Sequence, residues 1–441
     1  AAELNWYQDQ GIDRIGSQSA HSVTVPGAIA AWQKLSDDHG RLGLEELLRP
    51  AIAFAEDGYP VHSVIAKVWQ AQHDKLGADA NAKRIFLPGG QAPATGTIHR
   101  QPELGRTLRV IAKEGRDGFY TGAIADDMVG YLRRLGGLHT LDDFAAATAD
   151  YVTPIATDYR GHQILECPPN GQGLVALEIL NILRGFDLTA LDPVGVERLH
   201  LEAEAARLAY RDRARFIADP TQAEIPVDHL LSEDYAAGLR ALIRPDSVLG
   251  DLPEPGEVGH GDTVYLSVVD RDRNTVSFIN SIFQSYGSGL VSPESGVLFS
   301  NRGTGFVIEA GHRNCIAPRK RPMHTIIPGM IKVDERAVMP FGVMGGHFQP
   351  VGHAHFVTNM LDFGMDIQEA LDAPRCFAYN GELRVERGVA PEVARGLAAL
   401  GHDVVEAGFP LGGGQAVWID WDTGVLTAGS DPRKDGCAIG Y

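Results

Sequence analysis

Cysteine is scarce, with four in 441 residues. Cys167, Cys315, Cys376 and Cys437 lie far apart, and no CxxC or Cys/His spacing points to zinc. Four reduced thiols and no metal are expected. Long apolar runs are missing too. No stretch of 18 apolar residues occurs, so no transmembrane helix and no membrane partner are expected. Positive charge is in deficit: the formal net charge is −18. That argues against a nucleic-acid partner, which needs a basic face. The opening Ala1-Ala2-Glu3-Leu4 carries neither a charged-then-apolar leader nor an initiating Met. The true N-terminus is therefore not expected in view, and a cytoplasmic location is expected over a periplasmic one. What is present, 44% hydrophobic and 22% charged residues, is an ordinary globular balance. The length suffices for two or three domains or one large layered unit.

The chain changes character along its length. Apolar residues at helical spacing predict two helices over 27–57, with Pro50 in the first turn of the second. Two more are predicted over 103–135, divided by a turn at Asp117-Gly118. Strands are expected around Asp158-Tyr-Arg-Gly161, a helix over 172–184, and an amphipathic helix over 194–217. Residues 246–262 read as an exposed acidic linker rich in turns. The pattern then switches to strands. Residues 263–269 and 275–279 form a hairpin around a turn at 270–274. Further strands are expected at 326–333, 338–343, 383–386 and 414–428, and helices at 351–363, 366–372 and 390–400.

Three places carry candidate chemistry. In Gly261-Asp262-Thr263 the linker ends at a Thr that opens a strand. A hydroxyl is a weak nucleophile and needs a base. Cleavage between Asp262 and Thr263 would supply one on the same residue, since an α-amine has a pKa of roughly 7.7–8.0 against about 10.4 for lysine. The same hydroxyl could make the cut by attacking the Asp262 carbonyl, with Gly261 easing the bend. In Met344-Gly345-Gly346-His347, two glycines leave backbone N–H groups uncovered for an oxyanion. In Arg319-Lys-Arg-Pro-Met-His324-Thr325, two polar side chains precede a strand, where such side chains either line a cleft or make structural hydrogen bonds. His347, His353 and His355 are read as packing or loop histidines rather than metal ligands.

Together these segments resemble the γ-glutamyltranspeptidase family of N-terminal-nucleophile hydrolases over nearly the whole chain. The resemblance is carried in front by Asp158-Tyr-Arg-Gly161, Pro168-Pro169, Leu177–Leu183, Glu202-Ala-Glu-Ala205 and Tyr210-Arg-Asp-Arg213. Behind, it rests on Thr263 with Ser267-Val-Val-Asp270, Gly287-Ser-Gly289, Glu294-Ser-Gly296, Lys320-Arg-Pro322, Gly345-Gly346, Leu361-Asp-Phe-Gly364, Ala373-Pro-Arg375 and Ser430-Asp-Pro-Arg433. It implies an α+β fold, the four-layer αββα sandwich of that hydrolase type, shared by two fragments of one precursor. Residues 1–262 would form a heavy, helix-rich portion lacking the family's N-terminal segment, and 263–441 a light portion starting at the nucleophile. It implies Thr263 as nucleophile, Ser281 where the family has a Thr bonded to it, Gly345 and Gly346 as oxyanion donors, and no cofactor. A dimer of the cleaved pair is also an expectation.

The departures bear on substrate. Phe283 stands where transpeptidases grip the glutamyl group with Asn. Arg302 and Gly305 replace the Gln and Asp that hold its α-amine, and His324 and Thr325 replace paired serines. Losing that acid and gaining Arg302 repels an ammonium and attracts a carboxylate. Together with Gly345-Gly346-His-Phe-Gln-Pro350, this resembles the amidohydrolase branch of the family, with its cephalosporin (glutaryl) acylases and oxamate amidohydrolases. The reading is an autoprocessing Thr-nucleophile amidohydrolase for a small carboxylate-bearing acyl amide. Its rivals are a true γ-glutamyl transferase or glutathione hydrolase, and an uncleaved, non-enzymatic homologue.

Overall fold

The computed structural model describes residues 2–250, 252 and 261–441, so the linker expected at 246–262 lies largely outside the described residues. It divides into two compact units. The first comprises Ala1–Tyr151, Ile282–Ala310 and Cys315–Arg319; the second comprises Val152–Ser281, Gly311–Asn314 and Lys320–Tyr441.

The first unit is helical. It holds α1 (Leu4–Asp9), α2 (Ala28–His39), α3 (Leu44–Glu56), α4 (Ser63–Ala71), α5 (His73–Gly77), α6 (Ala80–Phe86), α7 (Pro102–Tyr120), α8 (Ala123–Arg134) and α9 (Leu141–Ala145). The two-residue strands β1 (Tyr59–Pro60) and β2 (Ile98–His99) pair antiparallel. In α3, Leu44, Leu48, Ile52 and Ala55 make the buried stripe. Pro50 sits inside α3, not in its first turn. It is exposed, so water can serve the carbonyl that its missing N–H leaves behind. Nor do Asp117-Gly118 form a turn: α7 runs through them, kinks at Gly115 (φ 62°, ψ −146°) and ends at Tyr120. Gly118 serves packing instead, because a Cβ there would lie 2.8 Å from Glu114 Cβ and 3.0 Å from Val110 Cγ1. Leu48, Ile52, Ile111, Phe119, Met128 and Phe144 form a core completed by Leu290 and Phe299.

The second unit holds β3 (Ile155–Tyr159), β4 (His162–Glu166), α10 (Gly173–Leu183), α11 (Val196–Phe216), α12 (Val227–Leu230), α13 (Glu233–Arg240) and β5 (Gly261–Val269). β6 (Thr275–Gln284) runs out of it into the first unit. Then follow β7 (Gly329–Val333), β8 (Arg336–Met344), α14 (Gln349–Leu361), α15 (Ile367–Asp372), β9 (Cys376–Tyr379), β10 (Glu382–Val385), α16 (Pro391–Ala399), β11 (Asp403–Glu406), β12 (Gly413–Ile419) and β13 (Leu426–Ser430). Six strands in the order β13-β12-β8-β7-β4-β3 form an antiparallel sheet. β11-β10-β9 form a second sheet, and β5-β6 a hairpin. Met339, Phe341 and Val343 of β8 join the core under α10, α11 and α14. The alternate β8 positions meet the hairpin, so this unit stacks helices, sheet and hairpin. Its core draws on residues before and after Thr263.

Two expectations change here. β5 begins at Gly261, so Thr263 is its third residue rather than its first. α11 is not simply amphipathic. Arg198, Glu202, Glu204 and Arg213 are buried with its apolar residues, and Arg198 meets Glu202 at 2.5 Å.

Candidate active site

β5 inverts the usual alternation. Val264, Leu266 and Val268 are exposed, while the positions between them carry hydroxyls. Tyr265 is buried, and its hydroxyl lies 2.9 Å from Ser267 Oγ and 2.8 Å from Ser277 Oγ. The Ser267 hydroxyl donates to the Pro340 carbonyl at 3.1 Å, and Ser277 to the Phe341 carbonyl at 3.3 Å. The Tyr265 ring covers Gly342, where a Cβ would approach it to 2.4 Å. Two matched steps, Ser267 to Pro340 and Tyr265 to Gly342, set the register between the strands. Extended by one further step, that register runs to Thr263 on β5 and to Met344 at the end of β8. There the Thr263 hydroxyl donates to Ser281 Oγ at 3.3 Å, so the structure brings these two candidates together.

The chain leaves β8 through Gly345 (φ 134°) and Gly346 (φ 59°), conformations that glycine adopts with little strain. β5 runs against the 3₁₀ turn Gly346–Phe348 that follows. The Gly345 carbonyl accepts from Phe348 N at 3.1 Å. The Gly346 carbonyl accepts from Gln172 Nε2 at 2.9 Å, and the same nitrogen donates to the Thr325 carbonyl at 2.8 Å. Thus the Gly345-Gly346 turn and the His324-Thr325 segment are tied through one side chain. Asn170 supports the second segment: its Nδ2 donates to the Pro322 carbonyl at 2.6 Å and lies 2.8 Å from His324 Nδ1. Arg213 closes the set, donating to Gln172 Oε1 at 2.8 Å, His347 Nδ1 at 2.9 Å and the Tyr379 hydroxyl at 2.9 Å. Sequence reading placed Gln172 in the helix expected over 172–184 and missed both Asn170 and Gln172 as parts of the site. A Gln between glycines just ahead of a buried helix was the one available signal.

The histidines hold the frame. His353 Nε2 accepts from Val343 N at 3.0 Å, which leaves its other nitrogen to donate to Glu166 Oε1 at 2.6 Å. Burial raises the Glu166 pKa. His355 lies 3.0 Å from Glu202. Burial opposes the ionised form of Glu202, but Arg198 and His355 outweigh it and hold the pKa down to about 2.

Arg302 and Phe283 belong to the first unit. Arg302 is 4% exposed, in the turn Arg302–Gly305, with its guanidinium 5.2 Å above the Phe283 ring. Burial lowers its pKa to about 10. Phe283 itself has φ 79°, a strained value for an aromatic residue. A cavity of about 400 Å³ in the second unit is lined by Tyr210, Tyr379, Asn380 and His402 among others, and by no residue singled out as a site candidate. It marks the back of the His347 support and not the Thr263 hydroxyl.

The gamma-glutamyltranspeptidase family model matches residues 1–441. A glutathione hydrolase-like proenzyme of Bacillus subtilis (strain 168), YwrD, is 36% identical across 95% of this chain and 81% of its own length. An oxamate amidohydrolase proenzyme of Klebsiella pneumoniae is 34% identical across 100% of this chain and 85% of its own length. The crystal structure of a cephalosporin acylase from Bacillus halodurans superposes with a TM-score of 0.93 at 37% identity, covering 100% of this chain and 83% of that one. The fold is therefore the α+β fold of N-terminal-nucleophile hydrolases.

Proposed function

We propose, from the premise that the chain belongs to the γ-glutamyltranspeptidase family and is an amidohydrolase of the N-terminal-nucleophile kind, that it cuts itself before Thr263. It then hydrolyses the amide of a small carboxylate-bearing acyl group. The observation that carries the reading is the Thr263 hydroxyl beside Ser281 Oγ at 3.3 Å, at the end of the strand that turns through Gly345 and Gly346.

In self-cleavage the Thr263 oxygen attacks the Asp262 carbonyl carbon. The C–N bond breaks, and an ester forms while the nitrogen takes the proton. Water hydrolyses the ester, leaving a carboxylate on Asp262 and a free α-amine on Thr263. In turnover that amine takes the hydroxyl proton as the oxygen attacks the substrate amide. The N–H groups of Gly345 and Gly346 hold the oxyanion, a contribution of roughly 10²–10³ per donor. The proton passes to the leaving amine, and water releases the acid. Ser281 orients the nucleophile. The frame around Gln172 supports the oxyanion turn.

For the substrate, the gain of Arg302 and the loss of the acid at Gly305 favour a carboxylate over an ammonium. The names of two relatives, oxamate amidohydrolase and cephalosporin acylase, agree with an acyl group that needs no α-amine. A γ-glutamyl substrate is the second reading, because other relatives are glutathione hydrolases. Denaturing electrophoresis with N-terminal sequencing tests the nucleophile. Two fragments are expected, the smaller starting at Thr263, whereas Thr263→Ala protein stays a single 47.5 kDa band. An uncut wild-type chain that hydrolyses amides at full rate would refute the mechanism. A panel of oxamate, glutaryl and γ-glutamyl amides, with and without glycylglycine, separates the acyl groups. Strong stimulation by the dipeptide would favour the transferase.

A further inference from the structure

We infer that Gln172 is a positioning residue for amide hydrolysis, one that fixes the Gly345-Gly346 turn against the His324-Thr325 segment; the inference rests on the oxyanion role proposed above. Its side chain is completely buried. The orientation of the amide is settled by chemistry. Arg213 can only donate, so Oε1 faces it, and the Thr325 and Gly346 carbonyls can only accept, so Nε2 faces them. Both N–H bonds of Nε2 are thus committed to main-chain carbonyls on two separate segments. Gly346 needs such a clamp. It lies between two peptide planes and has no Cβ to limit rotation. Phe348 N anchors the plane before it, through the Gly345 carbonyl at 3.1 Å. Gln172 anchors the plane after it at 2.9 Å. With both planes fixed, the Gly346 N–H keeps one direction. Arg213 in turn fixes Oε1 and also holds His347 Nδ1 at 2.9 Å, so the clamp is braced on two sides of the turn.

The test is Gln172→Glu, which keeps the shape and the acceptor facing Arg213 but loses at least one of the two donors. Measured per mole of cleaved enzyme, kcat should fall about 10- to 100-fold, as a small misplacement of catalytic groups does. KM should stay within about twofold, because a positioning role acts on the transition state rather than on substrate binding; the melting temperature should fall by a few degrees as buried carbonyls lose their donor. If the Glu protein does not fold, Gln172→Met, of similar length and without hydrogen bonds, takes its place with the same expectation. Unchanged kcat overturns the proposal. So does a loss of activity that merely follows the folded fraction. A Gln172→Glu enzyme of wild-type rate beside an inactive Thr263→Ala protein removes this inference alone. A Thr263→Ala protein that still turns over removes the nucleophile reading beneath it.

Discussion

Replacing Gly345 by Ala tests the oxyanion turn at its tightest point. Gly345 has φ 134°, and a Cβ there would stand 2.9 Å from Gly412 Cα. Gly412 cannot easily recede: its own φ is 73°, and its Cβ position is closed by the Met344 carbonyl at 2.4 Å. Two costs add. Holding alanine at such a φ takes about 1–3 kcal/mol, and backbone-to-Cβ overlap pushes the turn away from Gly412. An oxyanion donor works within about 2.7–3.1 Å of the developing charge, so a shift of a few tenths of an ångström already weakens it. Complete loss of one donor costs about 10²–10³ in kcat. Gly345→Ala should therefore lower kcat about 100-fold, counted per mole of cleaved enzyme, and lower the melting temperature by a few degrees. Gly364→Ala separates the two costs. Gly364 has φ 66°, and nothing lies within 4 Å of a Cβ there, so that variant carries backbone strain without overlap. It should lose stability and keep kcat. Wild-type kcat in Gly345→Ala, or an equal loss in Gly364→Ala, would refute the assignment of this turn.

Ser281→Ala removes the hydroxyl that accepts from Thr263 at 3.3 Å. One net hydrogen bond of about 0.5–1.5 kcal/mol predicts a two- to tenfold drop in kcat, with Ser281→Thr close to wild type; steady-state kinetics decide. Tyr265→Phe takes away the hydroxyl shared by Ser267 and Ser277. The strand that carries the proposed nucleophile then loses a tether, so kcat should fall about two- to tenfold while self-cleavage still reaches completion on a gel. Glu178 is buried, and burial followed by the neighbouring Asp212 raises its pKa well above the ordinary value. Its proton is retained in the folded state at a pH where the unfolded chain has lost it, so this group makes stability fall as pH rises above about 4.5. Glu178→Gln should raise the melting temperature at pH 7 and flatten that decline, as thermal denaturation across pH 4–8 would show.

Most elements were legible because their apolar residues recur at one clear period. The misreadings share a cause. Gly118 and Pro50 punctuate chains locally, but both lie within helices whose buried stripes continue past them. Tertiary packing then outweighs the local signal. β9 was missed because all four of its residues are buried, which leaves no alternation to read. β11 has four residues, too few for a period. The charges of α11 suggested a solvated face. They are buried because Arg198, Glu202, Thr358 and His355 bond one another across α11 and α14, and a pairing between residues 160 positions apart leaves no local trace.

The site was legible to a different degree. Thr263 and the glycine pair stand out by chemistry, since few residue types can do what they would do. The frame around them does not, because Gln172, Asn170 and Arg213 are ordinary polar residues until folding aligns them. Even β5 is ambiguous from sequence. Its Val, Leu and Val alternate with Thr, Tyr and Ser, and the usual rule turns the aliphatic face inward. That rule would aim Thr263 at water. The structure reverses it because every inward hydroxyl finds an acceptor: Ser267 on the Pro340 carbonyl, Tyr265 on two serines, Thr263 on Ser281. Satisfied hydroxyls remove the cost of burying that face. A strand held from inside by hydrogen bonds would also keep its place after the proposed cut before Thr263, whereas a free end held by solvent contacts alone would fray. On the proposed mechanism, the inverted alternation serves a nucleophile that has to sit at a chain terminus and still be aimed.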